Sequence, residues 1–321
     1  MKNFRNIIFV LVVIVFVLQM IVMKEDSKLE AKPLNAPIGL STFALYDIAK
    51  NVGGDTQEFF MLMPFGADAH SFEPTPKLIA KIQRSSLVIY SGAGLQPWIE
   101  DFDFENRAVD MSHHIKLKIV DNDNSCSHEH HDENEHQHHH KESSSGAVDH
   151  HYWLDMDNMV KMTEMVTREL IIISPKNKDL YNKNKDTYIT MLKKLDADYK
   201  KILSSCKKET IVVNHNAFSY LSDKYGFHTQ ALSGLSPDAQ PDAKTMIKLI
   251  EVVKEHNLST VFFESFASDK AMKSIAKEAG VGVDVLQPLG NITADEAKNN
   301  MSYEDIMRQN LEKISKALEC K

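Results

Sequence analysis

The sequence predicts two α/β lobes, each built on a parallel β-sheet with flanking helices, joined by one long helix. Its 321 residues are enough for two compact lobes. Short apolar segments alternate with helical patterns in both halves of the chain, and this alternation is typical of βαβ units. A separate pattern of helical period runs through residues 175–205 and divides the two halves.

The composition is that of an ordinary globular protein with one unusual feature. Hydrophobic residues make up 43% of the chain and charged residues 26%, and the formal net charge is -8. This acidic balance excludes a protein that binds nucleic acid through a basic surface. Of the 15 histidines, nine lie between His128 and His151, whereas there are only three cysteines. The excess indicates imidazole chemistry rather than a disulfide scaffold or a zinc module built on cysteine.

The N-terminal segment, residues 1–35, is predicted to be an export signal or an N-terminal membrane anchor with a short linker. Two basic residues precede an apolar run over 7–23, and charged residues follow it at once. The run is just long enough to cross a bilayer, and the abrupt flanking charges argue against a buried core helix. We therefore expect the rest of the chain in the periplasm or another extracytoplasmic space. A disulfide between Cys206 and Cys320 is permitted there, and two small buried thiols are the alternative.

An N-terminal α/β lobe is predicted over residues 36–174. Its strands are short apolar runs, and its helices have apolar positions three and four residues apart. In chain order, the predicted elements are a strand at 38–43, a helix to Asn51, a strand at 56–63, a helix at 75–84 and a strand at 86–91.

A polar tract interrupts this lobe, within the predicted His-rich loop at 122–150. Between Cys126 and Gly146 it mixes seven histidines with acidic residues and serines and has no apolar side chain beyond Cys126. Such a segment has nothing to bury in a core, so we expect a mobile loop. Histidine and carboxylate side chains bind divalent metals, which predicts several loose metal sites. A solvated acidic loop without a role is the alternative.

A connecting helix is predicted over residues 175–206. Apolar side chains recur every three or four residues along it, and the opposite face is polar. These positions are Leu180, Tyr181, Tyr188, Ile189, Leu192, Leu195, Tyr199 and Leu203. The helix is long enough to lie along both lobes, although an ordinary surface helix within one domain remains the alternative.

The C-terminal lobe, residues 207–321, repeats the alternation of strands and helices. The predicted elements are strands at 210–213, 261–264 and 283–286 and helices at 245–256, 269–279 and 302–318. Ser302 and Asp305 have the spacing of a capping box, which supports a helix start at that point.

Three histidines lie next to ordered segments rather than in the tract. His70 follows the second strand, His215 follows the first strand of the second lobe, and His151 lies where the tract returns to aromatic sequence. The carboxyl ends of parallel strands collect ligands, and three neutral imidazoles can bind zinc with a fourth position left for a carboxylate or water. Spacing alone does not decide between His151 and His150. Four other histidines carry no signal of this kind, namely His113, His114, His228 and His256.

The chain from Ile38 to the C-terminus resembles the zinc-binding class of substrate-binding proteins of metal-import ABC transporters, a group that includes manganese and iron binders. The motifs are GADAHSFEPTP around His70, DHHYWLD around His151 and NHNAFSYLSDKYGF around His215. The resemblance implies two α/β lobes, a rigid connecting helix and a metal in the cleft between the lobes. It assigns His70, His151 and His215 as ligands. A histidine at the third position is similar to the zinc members, whereas a glutamate is typical of manganese members.

Two positions depart from the family pattern. Gln287 stands where many members have an aspartate ligand, and Ala69 stands where other zinc members have a glutamate. A neutral amide is a poor zinc ligand, so we expect water at the fourth position, with Gln287 as a hydrogen-bond partner to it. Glu264 and a histidine of the tract are weaker candidates.

The predicted function is that of a monomeric, high-affinity zinc-binding protein that delivers Zn²⁺ to an ABC permease for import. Other divalent metals such as Mn²⁺ are secondary candidates. No HExxH or similar motif that would supply a general base is present, so we do not expect an enzyme. The alternatives are a zinc hydrolase with three histidines and a water, and a surface adhesin or zinc buffer.

Overall fold

The computed structural model describes residues 36–120, 146–237, 242–266 and 268–321. The predicted export signal or anchor lies outside these residues, as does nearly all of the histidine-rich tract. Within the described ranges, no helix is both long and apolar enough to cross a lipid bilayer.

The N-terminal half is built on a four-stranded parallel sheet with the strand order β2-β1-β3-β4. Its strands are β1 (Ile38–Leu40), β2 (Phe59–Met61), β3 (Leu87–Tyr90) and β4 (Arg107–Asp110). Side chains alternate between the two faces, so Leu40 and Ile89 belong to the main core, while Phe60 and Val88 belong to a smaller core on the opposite face. Both faces are therefore buried, as a parallel sheet requires.

Helices cover both faces of this sheet: α1 (Phe43–Gly53), α2 (Pro76–Arg84), α3 (Pro97–Glu100) and α4 (Met156–Ile173). At the start of α2, the Thr75 hydroxyl accepts a hydrogen bond from the Leu78 amide, and Pro76 occupies the first turn. The predicted strands and helices of this half are present. Strand β4 and helices α3 and α4 have no counterpart among the predicted elements.

A short antiparallel ribbon carries the polar tract. Strands β5 (Lys118–Val120) and β6 (Ala147–Asp149) pair so that Val120 lies opposite Ala147. The described residues on either side of the tract are therefore neighbours in space. Strand β6 leads directly to His150 and His151.

The connecting helix α5 (Lys178–Leu203) follows a single 3₁₀ turn at Pro175–Asn177. It contacts α1 and α4 of the first half and also helices of the second half, so it links the two. Six of the eight apolar positions that predicted this helix are buried: Tyr181, Tyr188, Leu192, Leu195, Tyr199 and Leu203. At about 1.5 Å per residue, its length is about 39 Å.

The C-terminal half contains two parallel strand pairs, with β7 lying beside β9. Its strands are β7 (Thr210–His215), β8 (His228–Ser233), β9 (Thr260–Phe263) and β10 (Gly282–Val285). Its helices are α6 (Ser219–Tyr225), α7 (Ala243–Glu255), α8 (Lys270–Ala279), α9 (Ala294–Lys298) and α10 (Tyr303–Ala317). The predicted capping box of Ser302 and Asp305 is present at the start of α10. Strand β8 and helices α6 and α9 were not predicted.

Buried contacts fix the two halves against each other. The Trp153 indole donates to the Pro288 carbonyl at 2.7 Å, and the Tyr303 hydroxyl donates to the Trp153 carbonyl at 2.7 Å. The Asn291 amide donates to the carbonyl groups of Pro64 and Ala67, each at 2.8 Å. These bonds hold the loop that carries His70 and the turn that carries His151 against the second half.

A disulfide joins Cys206 and Cys320, which are 114 residues apart in sequence. It fastens the chain after α10 to the end of the connecting helix, and the Lys321 amide donates to the Ser205 carbonyl beside it. Of the two alternatives for these cysteines, the structure therefore has the paired one. A cross-link over such a long loop stabilises the fold mainly by restricting the unfolded chain.

Candidate metal centre

Three chain segments bring imidazoles to one point between the two halves. His215 is the last residue of β7, and His70 lies in the loop that follows β2. His151 lies two residues after β6 and begins the 3₁₀ turn Tyr152–Leu154. The first two positions are at carboxyl ends of parallel strands, where side chains from different segments meet.

The three imidazoles have a spacing that suits a metal ion. Each ring offers one nitrogen, and the three nitrogens all lie within 4.8 Å of one another. The Nε2 atoms of His151 and His215 are 3.2 Å apart. Two nitrogens bound to a tetrahedral zinc at about 2.0–2.1 Å would be about 3.3–3.4 Å apart. Only 1% of His151 and of His215 is exposed, while His70 is partly buried.

A buried carboxylate orients His151. Oδ1 of Asp149 lies 2.9 Å from both the backbone nitrogen and Nδ1 of His151, and Oδ2 accepts a hydrogen bond from the Ser219 hydroxyl. When Nδ1 carries the proton, it donates a hydrogen bond to this carboxylate, and the lone pair of Nε2 is left available for a metal. Asp149 therefore fixes both the orientation and the tautomer that metal binding needs.

A second buried carboxylate lies behind His215. Oε1 of Glu264 contacts Nδ1 of His215, and 3% of Glu264 is exposed. With Asp149, this residue places two carboxylates next to the imidazoles. They can offset the charge of a divalent cation without being ligands themselves.

Burial favours the neutral, metal-binding form of His70 and His151. Burial lowers the pKa of His151 well below the usual range, and the neighbouring rings of His150 and His215 lower it further. Burial and the three neighbouring histidines also lower the pKa of His70. Burial raises the pKa values of Asp149 and Glu264. Protons are therefore weak competitors for the imidazole nitrogens of His70 and His151 near neutral pH.

His150 lies beside the three converging histidines without joining them. Its ring centroid is 4.9 Å from that of His70 and 4.4 Å from that of His151, yet its nitrogens are not among those that converge. Burial lowers the pKa of His150 to about 4. The histidines without a predicted role, at positions 113, 114, 228 and 256, are all exposed.

Comparison with known proteins places this centre in a family. The family model described as "ZnuA: Zinc-uptake complex component A periplasmic" matches residues 38–317. The chain belongs to the ZnuA family. The matched range covers both halves, the connecting helix and all three converging histidines, and the predicted family is confirmed.

Sequence relatives in the ZnuA family carry zinc in their names. The high-affinity zinc uptake system protein ZnuA of Bacillus subtilis is 32% identical over 276 residues, which are 86% of this chain and 85% of that protein. The zinc-binding lipoprotein AdcA of Streptococcus pneumoniae is 31% identical over 274 residues, which are 85% of this chain but 54% of that protein. The chain thus spans about half the length of the AdcA relatives that it matches.

The fold also matches a solved structure from the ZnuA family. The crystal structure of the Zn(II)-bound ZnuA-like domain of Streptococcus pneumoniae AdcA has a TM-score of 0.71 and 28% sequence identity with this chain. The match covers 89% of this chain and 99% of that domain. The predicted α/β architecture is confirmed.

Gln287, one of the two positions noted above as departures from the expected pattern, has its side chain in hydrogen bonds with other residues. Its side-chain nitrogen donates to both carboxylate oxygens of Glu296, at 3.0 and 2.8 Å, and to the Ser265 hydroxyl at 3.0 Å. Gln287 is not among the described residues that line the cavity at the three histidines. Gln287 therefore holds α9 in place through Glu296, and it does not contact the fourth coordination position of a metal at the three histidines.

Two aspartates that the sequence analysis did not single out accept hydrogen bonds from the backbone amides of His70 and His151. Oδ1 of Asp68 accepts the His70 amide at 2.7 Å, as Asp149 accepts that of His151 at 2.9 Å. Each aspartate precedes its histidine by two residues, so the sequence signal is a repeated Asp-x-His pattern. The contact of Glu264 with His215 has no such local signal, because His215 ends β7 and Glu264 follows β9, far apart in sequence.

The cavity at the three histidines is small. Its volume is about 20 Å³, and Leu95, Trp153, Phe266 and Pro288 supply much of its apolar wall. A volume of about 10–15 Å³ on this measure holds one water molecule. The space suits a metal ion with a single water, and it is far below the roughly 300 Å³ of a typical organic-ligand site.

Proposed function

We propose that this protein captures Zn²⁺ outside the cytoplasm, with His70, His151 and His215 as ligands, and delivers it to an ABC permease for import. The observation that carries the proposal is the convergence of three imidazole nitrogens within 4.8 Å. Family membership adds the role in zinc uptake.

The donor set supports zinc over harder divalent metals. All three converging atoms are imidazole nitrogens, which suit zinc, whereas Mn²⁺ prefers carboxylate and water oxygens. The carboxylates of Asp68 and Glu264 line the cavity, but among the described residues neither belongs to the group of converging ligand atoms. We therefore expect this site to bind Mn²⁺ more weakly than Zn²⁺.

A water molecule fills the fourth coordination position in this proposal. Gln287 is engaged with Glu296 and does not line the cavity. Glu264 does line it, but its carboxylate is not among the converging ligand atoms of the described residues. The cavity of about 20 Å³ has room for one water beside the ion.

The same cavity argues against a zinc hydrolase. A hydrolase needs space for its substrate next to the metal-bound water and a general base within reach of that water. The cavity does not have that space. The adhesin or zinc-buffer alternative has the same metal site, so only dependence on a permease separates it from import.

Zinc affinity measured by competition with a chelator tests the ligand set. His70→Ala, His151→Ala and His215→Ala are each expected to lose more than the roughly 10–100-fold that loss of an outer-sphere partner costs. His113→Ala is the matched control, because this side chain is 79% exposed. Full zinc affinity in any one of the three variants would overturn the proposed ligand set.

Two further measurements separate the functions. Zinc-loaded protein is expected to hold one tightly bound ion and to show no turnover of ester or phosphate substrates. Growth in low zinc is expected to require both this protein and a partner permease. Turnover would favour the hydrolase, and growth without the permease would favour the adhesin or buffer.

A further inference from the structure

Helix α6 of the second half packs against the segment of the first half that carries His151. It begins at Ser219, shortly after His215, and its first two residues are buried, since Ser219 is 4% exposed and Tyr220 is 8% exposed. Both side chains contact the β5–β6 ribbon, directly before the His151 turn. One short segment of the second half therefore carries one proposed ligand and also reaches the residues that support another.

The Tyr220 hydroxyl holds both strands of the ribbon. It accepts a hydrogen bond from the Lys118 amide of β5 at 2.6 Å and donates one to the Asp149 carbonyl of β6 at 3.2 Å. These two bonds fix the backbone of Asp149 relative to α6. The orientation of the Asp149 side chain depends on other contacts.

The Asp149 carboxylate is shared between His151 and Ser219. Oδ1 lies 2.9 Å from both the backbone nitrogen and Nδ1 of His151, while Oδ2 accepts a hydrogen bond from the Ser219 hydroxyl. The torsion that turns a carboxylate about its bond to Cβ has broad minima, so contacts at Oδ1 alone would fix this group loosely. The bond at Oδ2 fixes the plane of the carboxylate. Because Asp149 is 0% exposed, solvent does not reach the carboxylate to replace the hydroxyl.

We infer that Ser219 is a positioning residue for zinc binding, which acts through Asp149 and holds the His151 ring in the orientation that lets Nε2 bind the metal. This inference rests on the proposed zinc-capture function with His151 as a ligand. Ser219 is not among the described residues that line the cavity at the three histidines. Its effect on the metal is therefore transmitted by the carboxylate.

The role of Ser219 makes zinc binding depend on the docking of the two halves. Within the second half, His215 is a proposed ligand, and Ser219 orients the His151 ligand of the first half. A displacement of α6 would remove the support of His151 and would also move the end of β7 that carries His215. Loss of the Ser219 hydroxyl alone reproduces the first effect without the second, so a single substitution isolates the positioning role.

Zinc affinity of the full-length protein, measured by competition with a chelator, tests the inference. Ser219→Ala is expected to weaken zinc binding by about 10-fold, the lower end of what loss of an outer-sphere partner costs. Ser222→Ala is the matched control, because Ser222 lies on the same helix, is 5% exposed, and donates its hydroxyl to the Ser219 carbonyl at 3.1 Å. Ser219→Thr and Ser219→Val form a second pair, equal in size and different in the hydroxyl, and the threonine variant is expected to bind zinc about 10-fold more tightly than the valine variant. Circular dichroism confirms that the variants are folded.

Two further readouts separate positioning from general packing. In Asp149→Asn protein, which lacks the carboxylate, adding Ser219→Ala is expected to cost no more than about twofold in affinity, because the two residues act as a unit. In zinc-loaded protein labelled with ¹⁵N-histidine, nuclear magnetic resonance follows the Nδ1 proton of His151. This proton is expected to exchange with solvent faster in Ser219→Ala than in Ser222→Ala.

The results that would overturn the inference are distinct from those that would overturn the proposed function. Unchanged affinity in folded Ser219→Ala, or equal affinities in the threonine and valine variants, would make Ser219 a packing residue. An equal loss in Ser222→Ala, or a full further loss in the Asp149→Asn background, would show that Ser219 does not act through the carboxylate. Zinc binding by the wild type is measured first, and its absence would overturn the proposed function itself.

Discussion

At the scale of single residues, the site depends on carboxylates that contact histidines rather than metal. Asp149 lies 2.9 Å from Nδ1 of His151 and also accepts a hydrogen bond from Ser219. This arrangement sets the direction in which the opposite nitrogen, Nε2, points. The proposed affinity for zinc thus depends on a residue that would not touch the ion.

Asp149→Asn tests this dependence. The amide removes the negative charge and is a weaker acceptor for Nδ1–H, so zinc affinity is expected to fall by about 10–100-fold. Asp223→Asn is the matched control, because Asp223 pairs with Lys118 on the surface and its side chain is 65% exposed. Chelator competition measures both variants. An unchanged affinity in Asp149→Asn would contradict the role assigned to this carboxylate.

At the scale of secondary-structure elements, the packing of α1 on the connecting helix buries a carboxyl group. Asp47 of α1 accepts a hydrogen bond from the Tyr188 hydroxyl of α5 at 2.6 Å. Burial raises the pKa of Asp47 to about 6, although this hydrogen bond opposes the shift. A group whose pKa is higher in the folded state stabilises the fold below its unfolded pKa of about 3.9, and that stability is lost as the pH rises through about 6.

Asp47→Asn is expected to change the pH dependence of stability. Between pH 4 and pH 8, the free energy of unfolding of the wild type should fall relative to that of the variant by about 2 kcal/mol, which is most of the change that a shift of about two pKa units produces. The measurement is denaturant unfolding of zinc-free protein across this pH range. Asp186→Asn, on the exposed side of α5, is the control. Parallel stability curves for wild type and Asp47→Asn would contradict the assignment.

The sequence predicted elements well where apolar side chains mark them. The buried positions of α5 follow the helical period, and the Ser302 cap fixes the start of α10. Strand β8 was missed because its sequence, HTQALS, is mostly polar. The β5–β6 ribbon was missed for another reason. Its two three-residue strands are separated in sequence by the whole tract, and a pairing between such distant segments leaves no local signal in the sequence.

The metal site was predictable in part, because two of its histidines lie beside strands that apolar side chains mark in the sequence. His70 and His215 stand next to marked strands, whereas only family resemblance distinguished His151 from His150. In the structure the difference is physical: Asp149 lies 2.9 Å from Nδ1 of His151, whereas Nε2 of His150 has no hydrogen-bond partner among the described residues. Helix α4 did carry a usable signal, since its buried residues Met159, Met162, Val166 and Leu170 have helical spacing.

At the scale of the whole molecule, the ribbon brings the two described ends that flank the histidine-rich tract next to each other. Val120 and Ala147 are paired neighbours, so an Asn-Gly turn can replace residues 121–146 without moving either strand. This variant is expected to keep one tightly bound zinc and to lose the additional, weaker zinc ions. Its matched control keeps the length of the tract and changes its seven histidines to glutamine. An unchanged zinc stoichiometry in both variants would show that the tract binds no metal.

The central claim is that one zinc ion is bound by His70, His151 and His215. A crystal structure of the zinc-loaded protein, with anomalous data collected at the zinc absorption edge, tests it most directly. The predicted result is one strong anomalous peak between the two halves, about 2.0–2.1 Å from one nitrogen of each of these histidines. A principal peak elsewhere, or one without all three of these ligands, would contradict the account.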